Sequence, residues 1–209
     1  MSGLSIWLHK GVLQKHMTRS ATRKYTLRKR AEGQAETRLR IVEAAIDLHG
    51  TVGPARTTIS MIAEKAGVQR HTLYAHFPDE WSIALACSAL SMERNPPPDA
   101  EAWRAIAGRD ERLRAGLRAI YGWYEENAEL LGCVLRDAEH HELTRRISEL
   151  RFGPVMAGYH IVLGAGLGAR QRAMLGLGLS YFTWRTLTRE GGLKQAAAVS
   201  AMAQAIEAT

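Results

Sequence analysis

Hydrophobic side chains recur every three or four residues along most of the chain from residue 36 onward, which is typical of amphipathic α-helices. In the first of these stretches Leu39, Val42 and Ile46 fall on one face of a helix. No stretch alternates apolar and polar residues in the way that a half-buried strand does. The pattern therefore predicts an all-α protein of about nine helices.

The ends of the N-terminal helices carry residues that favour helix starts and stops. Gly53 lies just beyond the first helix, and either Thr57 or Thr58 can cap the start of a second. Gly67 follows the second helix at a position that suits a left-handed turn residue, and a short third helix comes directly after it. Pro78 suits the first position of a fourth. These signals predict four consecutive helices before residue 93.

The run Pro96–Pro98 is the clearest break in the helical pattern, because consecutive prolines cannot continue a helix. We therefore expect three parts: a basic, flexible arm over residues 1–33, a helical domain over 34–93 and a second helical domain over 94–209. In the last part the periodicity predicts helices over 109–127, 129–138, 141–164, 170–189 and 194–208, with a kink or a split at Gly153–Pro154.

The chain carries 28 basic and 21 acidic side chains, a formal net charge of +7. The first thirty residues hold eight basic side chains and no acidic one, and residues 1–92 account for nearly all of the excess. A basic segment beside a folded domain is typical of proteins that bind a polyanion. A solvated, disordered tail is the alternative interpretation of the same charges.

Composition and motifs exclude several classes of protein. Two cysteines, Cys87 and Cys133, cannot form a disulfide framework, so we expect a cytoplasmic protein. No apolar run reaches the roughly eighteen residues that a membrane span needs. The sequence shows no P-loop, HExxH, dinucleotide-binding or Ser-His-Asp motif, so we expect no enzyme activity, no cofactor and no metal site.

The segment Thr57–Phe77 has the pattern of a helix-turn-helix. Two short helices are joined by a three-residue turn that contains Gly67, and Ile62, Val68 and Leu73 point inward to hold the crossing angle. The segment resembles the helix-turn-helix of the TetR family of transcriptional regulators. It carries Thr-Thr, Ala-Gly-Val, Thr-Leu-Tyr and His-Phe-Pro in the register of that family, and the preceding helix is similar to the family's first helix.

The second helix of the motif is expected to enter the major groove of DNA. Arg70 can make a bidentate contact to guanine and Gln69 one to adenine, while Thr58 at a helix start can bind phosphate. His71 stands where the family usually has glycine, which predicts a different base preference. The expected DNA-binding residues are Thr57, Thr58, Gln69, Arg70, His71, Thr72, Tyr74 and His76, with Arg28, Lys29 and Arg30 from the arm.

The same resemblance implies a C-terminal domain that binds a small molecule and forms a homodimer. Aromatic side chains suit an apolar pocket with polar tips, although they suit an ordinary core as well. The expected ligand-binding residues are Trp103, Tyr121, Tyr124, Arg136, Asp137, His140, Phe152, Met156, Tyr159 and Trp184. A stripe of small and apolar residues is expected to form the dimer seam: Ala173, Gly176, Leu177, Ser180 and Leu187.

Together these features predict a homodimeric transcriptional repressor. It would bind a palindromic operator in double-stranded DNA and release it when a small molecule binds the C-terminal domain, without any association with a membrane. A non-specific architectural DNA-binding protein and an enzyme on a helical scaffold are the alternatives from other classes. A helical hairpin that binds nothing is the remaining interpretation of the motif.

Overall fold

Eleven α-helices account for most of residues 7–209, the part of the chain that the computed structural model describes, with side chains described at Tyr25 and from Leu27 onward. No strand occurs among these residues, and the all-α prediction is confirmed. The helices are α1 (Trp7–Thr51), α2 (Ile59–Lys65), α3 (Arg70–His76), α4 (Glu80–Arg94), α5 (Glu101–Arg104), α6 (Arg109–Glu126), α7 (Ala128–Ala138), α8 (Glu142–Leu163), α9 (Ala169–Gly178), α10 (Tyr181–Arg185) and α11 (Gln195–Glu207).

The prediction of nine helices was too low for two reasons. A short helix, α5, follows the proline-rich break and has too few residues to show a period. The predicted helix over 170–189 is divided at Gly178–Ser180 into α9 and α10, and it ends in a π-helical segment, Thr186–Glu190. In contrast, α8 continues through Pro154, where a kink or a split was expected.

Helix α1 joins the expected arm to the expected first helix without a break. It is 45 residues long, or about 65 Å at 1.5 Å per residue. The sequence between Gly11 and Gly33 contains no glycine or proline that would interrupt a helix. The expected arm is therefore helical from Trp7 onward, and the expected boundary near residue 33 falls inside a helix, while the flexibility of the arm stays a prediction. Residues 1–6 of the arm lie outside the described residues.

Helices α1 to α4 enclose a hydrophobic core of their own. The apolar face predicted for the first helix is partly right, because Val42 is buried and Ile46 half-buried while Leu39 is 43% exposed. Leu73 of the third helix and Phe77, which follows that helix, are fully buried in this core. The buried members of this core are Ile41, Val42, Ala44, Ala45, Ile59, Ile62, Ala63, Ala66, Leu73, Phe77, Ile83 and Cys87.

A second core fills the C-terminal helices and is rich in aromatic side chains whose polar ends bind backbone carbonyls. Tyr121 donates to Gly178 O at 2.9 Å and Tyr124 to Leu179 O at 2.6 Å. These two carbonyls lie at the break between α9 and α10, so the tyrosines satisfy the backbone where the helix stops. The aromatic residues therefore hold the chain in place at a position that the periodicity predicts to be continuous helix.

The two cores meet where α1 packs against α7 and α4 packs against α8. Trp123 donates to Asn95 O at 3.1 Å, and Tyr159 donates to Pro98 O at 2.8 Å. Both bonds attach the segment that follows α4 to the C-terminal helices. None of the helices in the described part of the chain is long and apolar enough to cross a membrane.

Removing the hydroxyl of Tyr124 tests this account of the helix break. Tyr124→Phe leaves the carbonyl of Leu179 without its donor in a buried site, and we expect the free energy of unfolding to fall by about 1–3 kcal/mol. Urea unfolding followed by circular dichroism measures the change. Tyr74→Phe on the exposed face of α3 is the matched control, with an expected change within about 0.5 kcal/mol. Equal effects of the two substitutions would contradict the account.

Candidate nucleic-acid interface and interdomain cavity

Hydrogen bonds fix α2 at its start and at the turn that joins it to α3. Thr58 caps α2 by accepting a bond from Met61 N at 3.3 Å. At the other end Gly67 has a φ of 65°, Gly67 N donates to Glu64 O at 3.0 Å and Val68 N donates to Ala63 O at 2.9 Å. This pair of bonds is the Schellman motif, which needs a left-handed residue at the glycine position. The predicted cap and turn are both present.

Two arginines of α1 hold the carboxyl ends of the helix-turn-helix. Arg40 Nη1 donates to Ala66 O at the end of α2, at 3.1 Å. Arg38 Nη1 donates to His76 O at the end of α3, at 3.0 Å, and its guanidinium lies 4.0 Å from the centre of the Phe77 ring. A cation at a helix C-terminus satisfies free carbonyls and complements the helix dipole. Sequence reasoning missed both arginines, because their contacts are far away along the chain.

Five of the eleven expected DNA-binding side chains are exposed on the helix-turn-helix. Gln69 is the N-cap of α3, and Arg70, His71 and Tyr74 project from that helix into solvent. Thr58 is also exposed, at the N-terminus of α2. None of the five is part of the buried core, so all are available to a ligand that approaches α3. We call these five residues the α3 surface.

The other expected DNA-binding residues have different surroundings. Thr57 donates its hydroxyl to Gly53 O at 2.8 Å, so its side chain is committed within the protein. Thr72 and His76 are half-buried on α3. Arg28, Lys29 and Arg30 are exposed on α1, where Arg28 pairs with Glu32 at 3.3 Å. Contact of any of these residues with DNA stays a prediction.

A cavity of about 310 Å³ lies between the two cores, with walls from both. The volume is at the lower end of the range of small-molecule sites, about 300–1,000 Å³. We call it the interdomain cavity. Its walls come from α1 (Ile46, His49), the 3₁₀ turn and the residues before α2 (Pro54, Ala55, Thr57, Thr58), α2 (Ile59, Ile62), α4 (Glu80, Ile83, Ala84, Cys87, Ser88, Ser91, Met92), α7 (Leu130, Leu131, Val134), the N-cap of α8 (His141) and α8 (Leu143, Thr144, Ile147, Ser148, Arg151, Phe152).

The interdomain cavity is lined by polar as well as apolar residues, the polar ones being three serines, three threonines, His49, His141, Cys87, Glu80 and Arg151. Burial lowers the pKa of His49 from 6.5 to about 4, an effect that the charge of Asp137 partly offsets, so the imidazole is neutral at pH 7. Burial raises the pKa of the Cys87 thiol to about 12, so it stays protonated. His49 Nδ1 lies 3.5 Å from Cys87 Sγ. Ser148 Oγ is buried without a hydrogen-bond partner in the described part of the chain.

Of the expected ligand-binding residues, only Phe152 lines the interdomain cavity. Met156 is half-buried against the C-terminal core and His140 is exposed. Sequence reasoning did not single out Ser148 or Arg151 on α8, because the surrounding residues 142–151 include five other polar or charged side chains and no local signal distinguishes these two. The remaining aromatic residues are buried in the C-terminal core: Trp103, Tyr121, Tyr124, Tyr159 and Trp184.

Arg136 and Asp137 lie at the junction of the two domains. Asp137 is 2% exposed, and its Oδ2 accepts a bond from Ala55 N at 2.9 Å. Arg136 Nε donates to Asp137 Oδ1 at 2.8 Å. Gly53 has a φ of 97°, and a Cβ added there would lie 2.5 Å from Asp137 Oδ2. The position therefore requires glycine both for its conformation and for space.

The expected dimer residues do not form one continuous stripe, because the helix that carries them is broken. Ala173 and Leu177 are exposed on α9, and a Cβ added at Gly176 would lie 3.6 Å from His160 Cε1 of α8. Ser180 caps α10 and Leu187 packs against the C-terminal core. We call the exposed residues Ala157 and Ile161 of α8, with Ala173, Gly176 and Leu177 of α9, the α8–α9 face. A role of this face in dimerisation stays a prediction.

Comparison with known sequences relates the chain to bacterial regulators. Residues 41–86 match the family described as "Bacterial regulatory proteins, tetR family". Over 85 residues the chain is 34% identical to the HTH-type transcriptional regulator SrpR of Pseudomonas putida, and it is 34% identical over the same length to the uncharacterized HTH-type transcriptional regulator TtgW of the same species. Each match covers 38% of this chain, but only 40% of SrpR and 63% of TtgW.

Solved structures extend the likeness of fold over most of the chain. The transcriptional regulator FadR from Bacillus subtilis, solved in complex with stearoyl-CoA, superposes with a TM-score of 0.57 at 19% identity. The superposition covers 80% of this chain and 96% of that chain. At this identity the comparison concerns the fold alone.

The depressed pKa of His49 predicts a pH-dependent stability. The unfolded chain binds a proton at His49 below about pH 6.5, and the folded chain binds one only near pH 4. The contribution of neutral His49 to the free energy of unfolding is therefore fully present above pH 6.5. It falls as the pH drops toward 4, and the loss is about 2 kcal/mol at pH 5. His49→Phe should remove this loss of about 2 kcal/mol from the difference in unfolding free energy between pH 7.5 and pH 5, as measured by urea unfolding. His140→Gln at an exposed position is the control, and an unchanged pH dependence in His49→Phe would contradict the prediction.

Proposed function

Because the chain belongs to the TetR family of bacterial regulatory proteins, we propose that it is a transcriptional regulator that binds operator DNA through the α3 surface. The observation that carries the proposal is this exposed set of residues on a helix whose turn and carboxyl end are fixed from α1 and α2. The Schellman bonds of the turn, with the two arginines of α1, give the helix-turn-helix a defined geometry for entry into a major groove.

Base readout would come from the N-terminal part of α3. Arg70 offers a bidentate contact to guanine and Gln69 one to adenine. Thr58 and Tyr74, which are both exposed, would contact phosphate, and such contacts set the position of the protein without reading sequence. Residues 34–93 would form the DNA-binding domain, with the exposed basic residues of α1 adding contacts to phosphate.

A second copy of the chain would pack against the α8–α9 face. Ile161 is 64% and Leu177 is 51% exposed, which is unusual for large apolar side chains on two adjacent helices. Small residues between them allow helices to approach closely. A two-fold dimer would present two α3 helices to successive major grooves, about 34–36 Å apart or a multiple of that distance, and would select a palindromic operator.

Residues 94–209 would bind a small molecule and convert its presence into release of the operator. Support comes from the interdomain cavity, whose walls include residues of α2 and α4. The neighbour FadR from Bacillus subtilis is a transcriptional regulator solved with stearoyl-CoA, which is a precedent for a bound effector on this fold. Such a repressor acts on chromosomal DNA, so we place it in the cytoplasm.

Substitution of Arg70 tests the DNA-binding proposal. Arg70→Ala should weaken binding to the DNA upstream of the protein's own gene by roughly 10–100-fold, which is the loss of one bidentate contact of about 1–3 kcal/mol. Fluorescence anisotropy at 0.15 M salt measures it, with Arg118→Ala on the exposed surface of α6 as the control. Equal affinity for that DNA and for a scrambled sequence would instead indicate a non-specific binder.

A charge on the α8–α9 face tests the dimer. Ile161→Glu should convert a dimer of 23.1 kDa subunits into monomers, because a carboxylate in an apolar interface is left without a partner. Light scattering coupled to size exclusion gives the mass. Leu193→Glu, which is 38% exposed before α11, is the control. A dimer that survives Ile161→Glu would show that this face is not the interface.

A further inference from the structure

We propose that the interdomain cavity binds a small amphipathic carboxylate, with its apolar body among the wall side chains and its carboxylate on the guanidinium of Arg151. The site differs from the aromatic core of the C-terminal domain, where the sequence places the ligand. The regulatory consequence rests on the proposed function, while the binding itself does not.

The walls of the interdomain cavity select an apolar body. Ile59 and Ile62 of α2, Ile83 of α4, and Ile147 and Phe152 of α8 all line it. Burial of apolar surface contributes about 25 cal/mol of binding free energy per Å². A ligand with fused aromatic rings would therefore gain most of its affinity from these walls. A strongly polar ligand would lose its hydration without replacement along these sides.

Arg151 supplies the charge that selects an anion. Its Nε donates to Ser88 Oγ at 3.0 Å and its Nη2 donates to Leu85 O at 3.0 Å, both on α4. These two bonds use only part of the five N–H donors of a guanidinium. No carboxylate of the described residues lies within ion-pair distance of Arg151, although ten ion pairs form elsewhere among these residues. A ligand carboxylate would complete the pair.

The other ionisable groups in the cavity wall are His49, Cys87, Glu80 and His141, and the ring of His141 is hydrogen-bonded through Nδ1 to Thr144 Oγ1 at 2.7 Å. His49 is neutral at pH 7 and Cys87 keeps its proton. Glu80 is exposed at the first residue of α4, one to two helical turns from the α4 atoms that bind Arg151. Ser148 lies one turn before Arg151 on α8, and its Oγ lacks a hydrogen-bond partner, so a carboxylate oxygen would satisfy it as well.

A ligand in the cavity would contact α2 and α4 of the proposed DNA-binding domain directly. Arg151 connects α8 to α4, and residues of α2 and of the 3₁₀ turn that precedes it also line the cavity. An anion that draws the guanidinium away from Ser88 and Leu85 would loosen the attachment of α4. The ligand therefore has different contacts in the two arrangements of the domains, which is the requirement for a shift between them.

Two isosteric probes test the proposal with the full chain. Isothermal titration at 0.15 M salt compares 2-naphthoate with 2-naphthamide, which has the same ring and shape but no charge. We expect naphthoate to bind at least tenfold more tightly, and Arg151→Gln to reduce the preference to less than threefold. Arg146→Gln is the matched control, because this arginine lies on the same helix with its guanidinium over the Trp81 ring. Equal binding of the two probes, or a preference that survives Arg151→Gln, would overturn the proposal.

A second variant covers the case in which Arg151→Gln unfolds the chain. Ser91→Leu fills the interdomain cavity from α4, and it should abolish binding of both probes; undiminished binding in this variant would also overturn the proposal. Fluorescence anisotropy of labelled operator DNA with added naphthoate then distinguishes binding of the ligand from its effect on DNA binding. Naphthoate that binds through Arg151 without releasing DNA supports the site and contradicts its regulatory role, whereas failure of the ligand-free protein to bind operator contradicts the proposed function alone.

Discussion

The buried carboxylate of Asp137 is the contact on which the relation between the two domains depends. A carboxylate that is 2% exposed is tolerated only when hydrogen bonds and a counter-charge replace its hydration. Arg136 and the backbone N–H of Ala55 supply them. Since Ala55 belongs to the 3₁₀ turn before α2, α7 thereby fixes where the helix-turn-helix begins. The geometry of the motif is thus set from the C-terminal domain as well as from α1.

Because of this arrangement, a ligand at the junction of the two domains would affect their relative position more than a ligand inside the C-terminal core. The aromatic core is closed by tyrosine hydroxyls that already bind carbonyls at the break between α9 and α10. A ligand there would have to displace those bonds while touching one domain only. The interdomain cavity has walls on α2, α4, α7 and α8, so its occupant contacts the elements whose relative position would differ between two states.

Local signals were enough to predict the helix-turn-helix, because Thr58, Gly67 and Leu73 act within a few residues of their own positions. The contacts of Arg38 and Arg40 reach carbonyls 38 and 26 residues away, so no periodicity could reveal them. For the same reason the apolar run from 170 to 189 predicts one helix: nothing within it indicates that Tyr121 and Tyr124, more than fifty residues earlier, satisfy the carbonyls of a break. An aromatic composition fits a pocket and a core equally well until the partners of the hydroxyl groups are known.

Any coupling between binding of a ligand and binding of DNA is limited by the contacts that differ between the two relative positions of the domains. A coupling free energy of about 1–3 kcal/mol corresponds to a change of 5–150-fold in affinity. The bonds of Arg151 to Ser88 and Leu85 are charge-assisted, and such bonds contribute about 1.5–3 kcal/mol each. Exchange of one of them for a bond to a ligand carboxylate is therefore of the right size to switch a repressor. The junction needs no larger rearrangement, because the 3₁₀ turn and α4 are each held to the C-terminal domain by only a few polar contacts.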